Sequence, residues 1–487
     1  MNLISSLYFS APEIFLIISG LVLLLVAAFG GDKTARTVTI LAVAALFGAA
    51  VYTTDLLTNP AYELGGEAWA GIYRMDSFGR FAKILIYLAA IGSLIVTPKF
   101  FAENGGYRPE YAILVLFSSV GMALMVSAVN LMTLYMGLEL MSLSSYVLAS
   151  FSRSDNRSAE AGLKYFVLGA LASGILLYGM SLLYGFTGST SYLGIRLALQ
   201  GGLSMGATFG IVLILAGLAF KIAAVPFHMW TPDVYEGAPT PVSAFFSTAP
   251  KVAAVAILMR ISLDTFGEHT LAWQQIVIFA ALASIVVGAL GAIGQDNIKR
   301  LLAYSSINNV GFILIGLAAA TPAGASGMLV YLTIYVAMSL GSFVAVMMLK
   351  DAQGNQIEKI SSMAGMVREK PLLAWCIFFL MLSLAGIPPL FGFYGKFVVF
   401  QAAVQADMVA LAAIGIAASV IGAFYYLKIC KVIMFDDPAG EVVGDTTTSN
   451  WAVLLICSLI ISPLGWLLTK PLVELADKAA SSLFFVI

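Results

Sequence analysis

Four ionisable side chains lie inside long apolar runs of this 487-residue sequence: Glu139, Lys221, Lys251 and Lys396. Inside a lipid bilayer, each such charge opposes insertion by about 2.5–3.5 kcal/mol. These groups must therefore be paired, hydrated or neutral in the folded protein. Because charges of this kind mark ion pathways and binding sites, the set predicts a segment that moves or binds an ion.

Prolines interrupt two of these apolar runs close to a lysine. Pro226 follows Lys221 by five residues, and Pro388 and Pro389 precede Lys396. A proline removes a backbone donor, and the carbonyl groups that it frees need partners or water inside a bilayer. Many transporters place such discontinuous helices at the ion site. We therefore interpret both breaks as parts of one functional site.

Two further residues are possible relay groups. Lys164 lies four residues after Glu160, near a helix start, where a lysine can instead extend its ammonium to the membrane interface. His228 lies beside the first break and titrates near neutral pH, but a packed loop histidine has the same sequence pattern. For Glu139, a structural hydrogen bond to the nearby serines at 142–145 is the alternative.

The composition predicts an all-α, polytopic membrane protein. Apolar residues make up 60% of the chain and charged residues only 10%, against about 25% in soluble proteins. Apolar runs of about 20 residues predict about 14 transmembrane helices. Their centres lie near Ile18, Ala45, Tyr87, Leu116, Leu138, Leu171, Leu213, Ala254, Ile285, Phe312, Tyr335, Leu380, Ala418 and Cys457. No Lys or Arg precedes the first run, so we expect a retained helix there.

The two breaks are five predicted helices apart, and this spacing predicts internal symmetry. An odd number of crossings reverses the topology, so we expect two inverted five-helix repeats, each with a discontinuous helix. We expect one membrane domain, 1–487. It divides into three N-terminal helices in 1–107, the repeats in 108–265 and 270–432, and a C-terminal helix in 433–487.

Basic residues in the loops predict the orientation. Most of them lie in alternate loops, for example Lys99 and Arg108, and the positive-inside rule places those loops in the cytoplasm. We assign Arg74, Arg196 and Arg260 to loops on the other side. Both termini are therefore predicted on the outer, periplasmic side.

Several function classes have no support in the sequence. Cys376, Cys430 and Cys457 form no CxxC pair, which argues against disulfides and iron–sulfur sites. There are only two histidines and no phosphate-binding glycine loop. We expect no metal, no cofactor and no bond chemistry on this chain. The net charge of −1 does not indicate a nucleic-acid partner.

Four segments together point to a family: GLELMSLSSYVLASF, GLAFKIAAVPFHMWTPDVYEGAPTPVSAFFSTAPK, QDNIKRLLAYSSINNVGFILIG and LAGIPPLFGFYGKF. They resemble the antiporter-like membrane subunits of proton-pumping NADH:quinone oxidoreductase, respiratory complex I, and the resemblance covers essentially the whole chain. It implies a translocase subunit of the bacterial inner membrane. Its partners would be lipids and other membrane-arm subunits, with FMN, iron–sulfur clusters and quinone held in partner subunits.

The resemblance also implies a role for each deep charge. Glu139 matches the family's fifth-helix glutamate, and Lys221 matches the seventh-helix lysine that pairs with it. Lys251 matches the central relay on the eighth helix, and Lys396 matches the twelfth-helix residue of the other half-channel. Lys164 has no assigned counterpart.

Three other interpretations remain open from the sequence. Subunits of multi-subunit sodium/proton antiporters belong to the same family and would use the same residues without electron transfer. A quinone site on this chain has no clear sequence support. A purely structural scaffold would keep the four charges for assembly alone.

Overall fold

The computed structural model describes residues 3–58, 66–440, 442–444 and 447–484, which are mostly helical. The N-terminal elements are α1 (Leu3–Phe9), α2 (Ala11–Gly30), α3 (Ala35–Thr58), β1 (Gly66–Ala68), β2 (Tyr73–Met75) and α4 (Ser77–Asn104). Helices α2 and α3 pack against each other across a short 3₁₀ turn, Gly31–Thr34. The two strands form an antiparallel hairpin in which Glu67 pairs with Arg74.

The next group of helices carries three of the four deep charges. Its members are α5 (Glu110–Val126), α6 (Leu131–Ala149), α7 (Asn156–Thr187), α8 (Tyr192–Leu199), α9 (Met205–Ile222), α10 (Trp230–Gly237), α11 (Thr240–Phe246) and α12 (Ala249–Arg260). Short polar side chains define several starts, because Asn130, Asp155 and Ser204 each accept a backbone N–H of the first turn.

The last group carries the fourth deep charge, Lys396. Its helices are α13 (Thr270–Ile293), α14 (Ile298–Ala318), α15 (Pro322–Met347), α16 (Pro371–Ala385), α17 (Phe391–Gln405), α18 (Val409–Phe435), α19 (Thr448–Ile461) and α20 (Thr469–Ser481). Helices α12, α14 and α15 are buried along almost their whole length, whereas α2 exposes most of its apolar side chains. Polar groups on the central helices are thus shielded from lipid.

The predicted all-α, polytopic membrane fold is confirmed. Within the described ranges, ten helical stretches are long and apolar enough to cross a membrane, or eleven if the bent pair Thr448–Ile461 and Pro463–Ser481 is one span. This number is lower than the predicted 14. Helices α2 and α3, joined by the 3₁₀ turn, count here as one stretch, α5 and α16 are short, and a break shortens the helices on either side of it.

A buried ion pair that the sequence analysis missed joins α2 to α4. The Lys83 ammonium lies 2.5 Å from the Glu13 carboxylate, and both side chains are inaccessible to solvent. The Tyr73 hydroxyl accepts a hydrogen bond from Lys83 at 2.7 Å and donates one to Glu13 at 3.0 Å. Glu13 and Lys83 lie within two turns of the start of their helices. Charged side chains at such positions are expected to reach the membrane interface, so the sequence did not indicate a buried pair.

Arg260 is not a loop residue, and that prediction was wrong. It ends α12, is fully buried, and donates hydrogen bonds of 2.7 and 2.8 Å to the Asp76 carboxylate. Burial raises the pKa of Asp76, but the Arg260 charge and its hydrogen bonds outweigh this and hold the pKa below its ordinary value. The sequence could not reveal this partner, because Asp76 lies 184 positions away.

The Asp76–Arg260 pair yields a stability prediction. Asp76→Asn should lower the free energy of unfolding by about 3–5 kcal/mol, because a buried guanidinium loses its counter-charge. Thermal unfolding of the purified protein measures the effect. Glu474→Gln is the matched control, since Glu474 forms an exposed pair with Lys470 at 4.0 Å and should contribute less than about 1 kcal/mol. Equal unfolding midpoints for wild type and Asp76→Asn would contradict the prediction.

A second prediction concerns the close contact between α5 and α6. A Cβ on Gly121 would lie 2.5 Å from the Met141 nitrogen and 2.7 Å from the Gly137 oxygen. The clash involves backbone atoms and can be relieved only if one helix shifts. Gly121→Ala should therefore destabilise the protein by about 1–3 kcal/mol. At Gly174 an added Cβ meets no atom within 4 Å, so Gly174→Ala should be neutral or stabilising. An unfolding midpoint of Gly121→Ala at or above that of Gly174→Ala would refute the prediction.

Candidate functional site

Lys221 lies in the last turn of α9 and is almost completely buried. Its ammonium donates to the Ser142 hydroxyl at 2.8 Å and to the Tyr146 hydroxyl at 3.4 Å, both on α6. These acceptors are neutral, and among the described residues no carboxylate lies within ion-pair distance of the ammonium. A buried ammonium on neutral acceptors is suited to losing and regaining a proton.

Glu139 lies on α6 about one turn before Ser142 and is half-buried. Its Oε1 atom is buried without a hydrogen-bond partner, and no ion pair joins it to Lys221 in the described part of the chain. This differs from the direct pair that the resemblance implied. In this structure the Ser142 hydroxyl accepts from the ammonium at 2.8 Å instead.

The first break separates α9 from α10 and contains Pro226. Helix α9 ends at Ala223, which has a left-handed φ of 62°, and the Ala224 N–H donates to the Ala219 carbonyl at 2.9 Å. The Val225 N–H donates to the Ser284 hydroxyl on α13 at 2.9 Å. These bonds satisfy backbone groups that the break would leave unpaired.

His228 also lies in this break and is half-buried. Its Nδ1 atom is buried and makes no hydrogen bond to any described residue. The structure therefore places His228 beside the site without connecting it to Lys221.

Lys251 lies on α12 and is 2% exposed. Its ammonium donates to the Ser306 hydroxyl on α14, and the Ser306 and Tyr335 hydroxyls are hydrogen-bonded at 2.6 Å. The sequence analysis missed Ser306 and Tyr335. The only local signal was the polar run SSINN, 305–309, within an otherwise apolar helix.

A second cluster of polar side chains on α14 involves Ser305, which precedes Ser306, and Asn309, which lies one turn after Ser305. The Ser305 and Tyr426 hydroxyls are 2.5 Å apart, and the Asn309 amide donates to Tyr426 at 3.3 Å. The Tyr331 hydroxyl donates to Asn309 at 2.6 Å. The Tyr331 ring in turn lies against Gly395, where an added Cβ would be 2.5 Å away. Helix α14 thus places polar groups between Lys251 and the helix that carries Lys396.

Lys396 lies near the start of α17, after the break that contains Pro388 and Pro389. Its ammonium donates to the Ala385 carbonyl, the last of α16, at 2.9 Å, and lies 4.5 Å from the centre of the Phe312 ring. A cation at the carbonyl end of a helix is favourable. Gly386 is required here, because its φ is 81° and a Cβ would lie 2.8 Å from the lysine side chain.

Lys164 belongs to a different arrangement, at the end of α10 that faces the basic loops. Its ammonium lies 2.7 Å from both Glu160 and Asp233. Arg300 on α14 lies 2.6 Å from Asp233 and 3.0 Å from Glu236. We call Lys164, Asp233, Glu236 and Arg300 the ionic cluster. The ionic cluster explains why α10 carries acidic residues and no basic ones. The distribution of basic residues among the loops did not account for this.

Glu358 lies beside this cluster, in the loop after α15. Its carboxylate is 2.9 Å from Arg157 and 3.6 Å from Lys299. Burial raises the pKa of Glu358, but the charges of Lys299 and Arg157 outweigh it and hold the pKa below its ordinary value. Lys299 also donates to the carbonyls of Glu236 and Ala238, both at 2.8 Å, which ties the end of α10 to α14.

Comparisons with known proteins place the chain in a family. Residues 128–422 match the family described as NADH:quinone oxidoreductase/Mrp antiporter, TM. NADH-quinone oxidoreductase subunit N of Erythrobacter litoralis is 65% identical over 99% of this chain and 99% of its own length. The subunit N of Rhizorhabdus wittichii is 56% identical over 99% of this chain and 100% of its own length.

The chain belongs to the NADH:quinone oxidoreductase/Mrp antiporter family.

Solved structures share this fold. A chain of respiratory complex I from Thermus thermophilus with bound aureothin is 30% identical, has a TM-score of 0.81, and covers 96% of this chain and 99% of its own. A chain of the Mrp complex from Dietzia sp. has a TM-score of 0.84 over 98% of this chain and 97% of its own. At 22% identity, the Mrp likeness concerns the fold alone.

The segment matched to the family contains Glu139, Lys221, Lys251 and Lys396 and begins after Glu13 and Lys83. Within the described residues, no three His, Cys, Asp or Glu side chains converge as a metal site would require. The family match thus encloses the deep lysines and the polar side chains around them.

The Lys251–Ser306 contact yields a prediction. Ser306→Ala removes the acceptor of the lysine and the partner of Tyr335, so we expect proton transport to slow by about tenfold or more. Proton uptake by membrane vesicles measures the effect, normalised to the amount of folded protein. Ser342→Ala is the control, because that hydroxyl, also buried, donates only to the Met338 carbonyl of its own helix. Equal rates for the two variants would exclude Ser306 from the pathway.

Proposed function

We propose that this chain acts as subunit N of a bacterial NADH:quinone oxidoreductase and carries protons across the inner membrane. The observation that supports this most strongly is 65% identity to a curated subunit N over nearly the full length of both chains. The segment FHMWTPDVYEGAPTPVSAF resembles subunit N, and Lys396 stands where subunit M typically has a glutamate. Electrons pass from NADH to quinone in partner subunits, and the chain is a translocase subunit of that enzyme.

The proposed transfer begins at Lys221. An opposite charge favours the charged form of a lysine, so an approach of Glu139 would hold Lys221 protonated. A signal from a neighbouring subunit separates the two groups, and the buried ammonium then gives up its proton. The hydrogen bonds from Lys221 to Ser142 and Tyr146, with no carboxylate in contact, resemble the separated stage of this cycle.

The proton then moves through Lys251 to Lys396. The hydroxyls of Ser306 and Tyr335 begin this route, and the cluster around Asn309 continues it toward Lys396. Water bridges the gaps between these groups. Lys396, bound to a carbonyl at a helix break, releases the proton into the other half-channel.

The proposed architecture has 14 spans. In this count α2 and α3 cross separately, α5 and α16 cross although they are short, and α9–α10 and α16–α17 are discontinuous spans. The inverted repeats are 108–265 and 270–432, between three N-terminal helices in 1–107 and a C-terminal helix in 433–487. The similar caps at Ala223 and Gly386, both left-handed, support two related breaks. Both termini lie on the periplasmic side.

The proposed partners are lipids and other membrane-arm subunits. FMN, the iron–sulfur clusters and quinone belong to partner subunits, and this chain carries no cofactor.

A sodium/proton antiporter subunit is the second candidate, because the family description includes Mrp antiporters. Purification separates the two candidates. Co-purification with flavin and iron–sulfur subunits supports the oxidoreductase, whereas sodium-dependent transport in cells without that complex supports the antiporter.

Substitution of the first relay tests the proposed function. In assembled complex, Lys221→Ala and Glu139→Ala should lower the rate of proton pumping by at least about tenfold, because a proton-accepting group or its counter-charge is lost. Lys221→Arg should also fail, because arginine stays charged. Lys470→Ala, an exposed lysine on α20, should pump normally. Normal pumping by Lys221→Ala in assembled complex would overturn the proposal.

A further inference from the structure

The ionic cluster borders a small open cavity on the side of the basic loops. The cavity has a volume of about 220 Å³ and is lined by Arg157, Glu160, Lys164, Asp233, Glu236 and Arg300. It borders α10, the helix that follows the first break, since Asp233 and Glu236 belong to that helix. Lys221 itself is 7% exposed and does not line the cavity. A barrier therefore lies between the two.

A series of aromatic contacts leads from Tyr165, next to Lys164 of the cavity, to Lys221. Tyr165 on α7 stacks on Trp230 at the start of α10, with ring centres 4.5 Å apart and planes inclined by 8°. Both side chains are almost completely buried. Tyr165 also contacts the Tyr146 ring edge-on at 4.8 Å, and Trp230 stacks on Phe220 at 5.5 Å. Tyr146 and Phe220 are the rings nearest to Lys221, each with its centre 5.8 Å from the ammonium.

Helices α7 and α10, which the ring stack joins, are also joined by an ion pair. Lys164 precedes Tyr165 on α7, and Asp233 lies about one turn after Trp230 on α10. The Lys164–Asp233 ion pair, at 2.7 Å, therefore joins the two helices next to the ring stack. Arg300 holds Asp233 from a third helix, α14, at 2.6 Å. If α10 moved away from α7, the ion pair and the stack would separate together.

We propose that the Lys164–Asp233–Arg300 contact is a latch that keeps the Tyr165–Trp230 stack closed over Lys221. The latch controls when water from the loop-side cavity reaches the lysine. The inference rests on the proposed function, because a pump must close one side of its site while the other is open. Lys164, Asp233 and Arg300 are positioning residues, since they act through the two rings and touch neither Lys221 nor Glu139.

The latch is partly exposed, and this sets the size of its effect. The side chains of Lys164, Asp233 and Arg300 are 41%, 32% and 30% exposed. Ion pairs of this exposure change an equilibrium modestly, so we expect loss of the latch to open the stack about three- to tenfold more often. A contact of this strength can be broken in each cycle.

Thiol labelling tests the latch without relying on pumping. Lys221→Cys places a thiol beneath the stack, and a small, membrane-impermeant methanethiosulfonate reagent probes it in complex reconstituted into nanodiscs. Mass spectrometry of the peptide that contains position 221 separates this thiol from the buried native cysteines. Adding Asp233→Asn or Lys164→Met should speed labelling at least about threefold. Asp437→Asn is the matched control, because Asp437 pairs with Arg368 at 3.2 Å on an exposed loop.

A second set of variants separates the rings from the latch. Trp230→Leu removes the stack directly and should speed labelling even with the latch intact. Lys164→Arg and Asp233→Glu keep the charges and should label at the slow rate. Fast labelling with Trp230→Leu but not with Asp233→Asn or Lys164→Met would overturn the latch. Unchanged labelling with Trp230→Leu would overturn the stack as the barrier.

The number of protons pumped per NADH oxidised is a readout that a merely structural role would not change. In complex with Lys221 intact, Asp233→Asn should lower the number of protons pumped per NADH oxidised, whereas poor assembly lowers both rates in proportion. Normal pumping by Lys221→Ala would refute the proposed function, yet labelling of the variants that carry Lys221→Cys would still decide the latch. The two failures are therefore distinguishable.

Discussion

A charge that is buried in a membrane protein needs polar partners, and the identity of the partner decides what the charge can do. Lys221, Lys251 and Lys396 donate to a serine hydroxyl, a second serine hydroxyl and a backbone carbonyl. Neutral acceptors stabilise the ammonium less than a carboxylate does, which leaves the lysine able to exchange its proton. The rest of the site, from the helix breaks to the polar face of α14, supplies these acceptors.

Two other buried cations have the opposite arrangement. Lys83 is paired with Glu13, and Arg260 with Asp76, in fully buried contacts. A carboxylate at hydrogen-bond distance stabilises the charged form of each cation, so these pairs are suited to fixing helices together. They join α2 to α4 and α4 to α12. Two kinds of buried cation therefore coexist in one fold and are distinguished by their acceptors.

The backbone groups at the helix breaks also need polar partners, as the buried charges do. Each break leaves carbonyl and N–H groups that need partners in a membrane. At the first, the Ser284 hydroxyl and a left-handed Ala223 satisfy them. At the second, Lys396 itself binds the final carbonyl of α16. The lysine and the break thus stabilise each other, which accounts for their closeness in the sequence.

The sequence by itself determined the fold class, the deep lysines and the two breaks, because long apolar runs, a charge within them and a proline are local signals. It did not reveal Ser306, Tyr335, the Glu13–Lys83 pair or the Asp76–Arg260 pair. Serine and tyrosine are common in apolar helices and do not stand out, and the ion-pair partners lie far apart in the chain. Only the tertiary structure decided which acceptor each cation meets, because the packing of α4, α12 and α14 brings distant residues together.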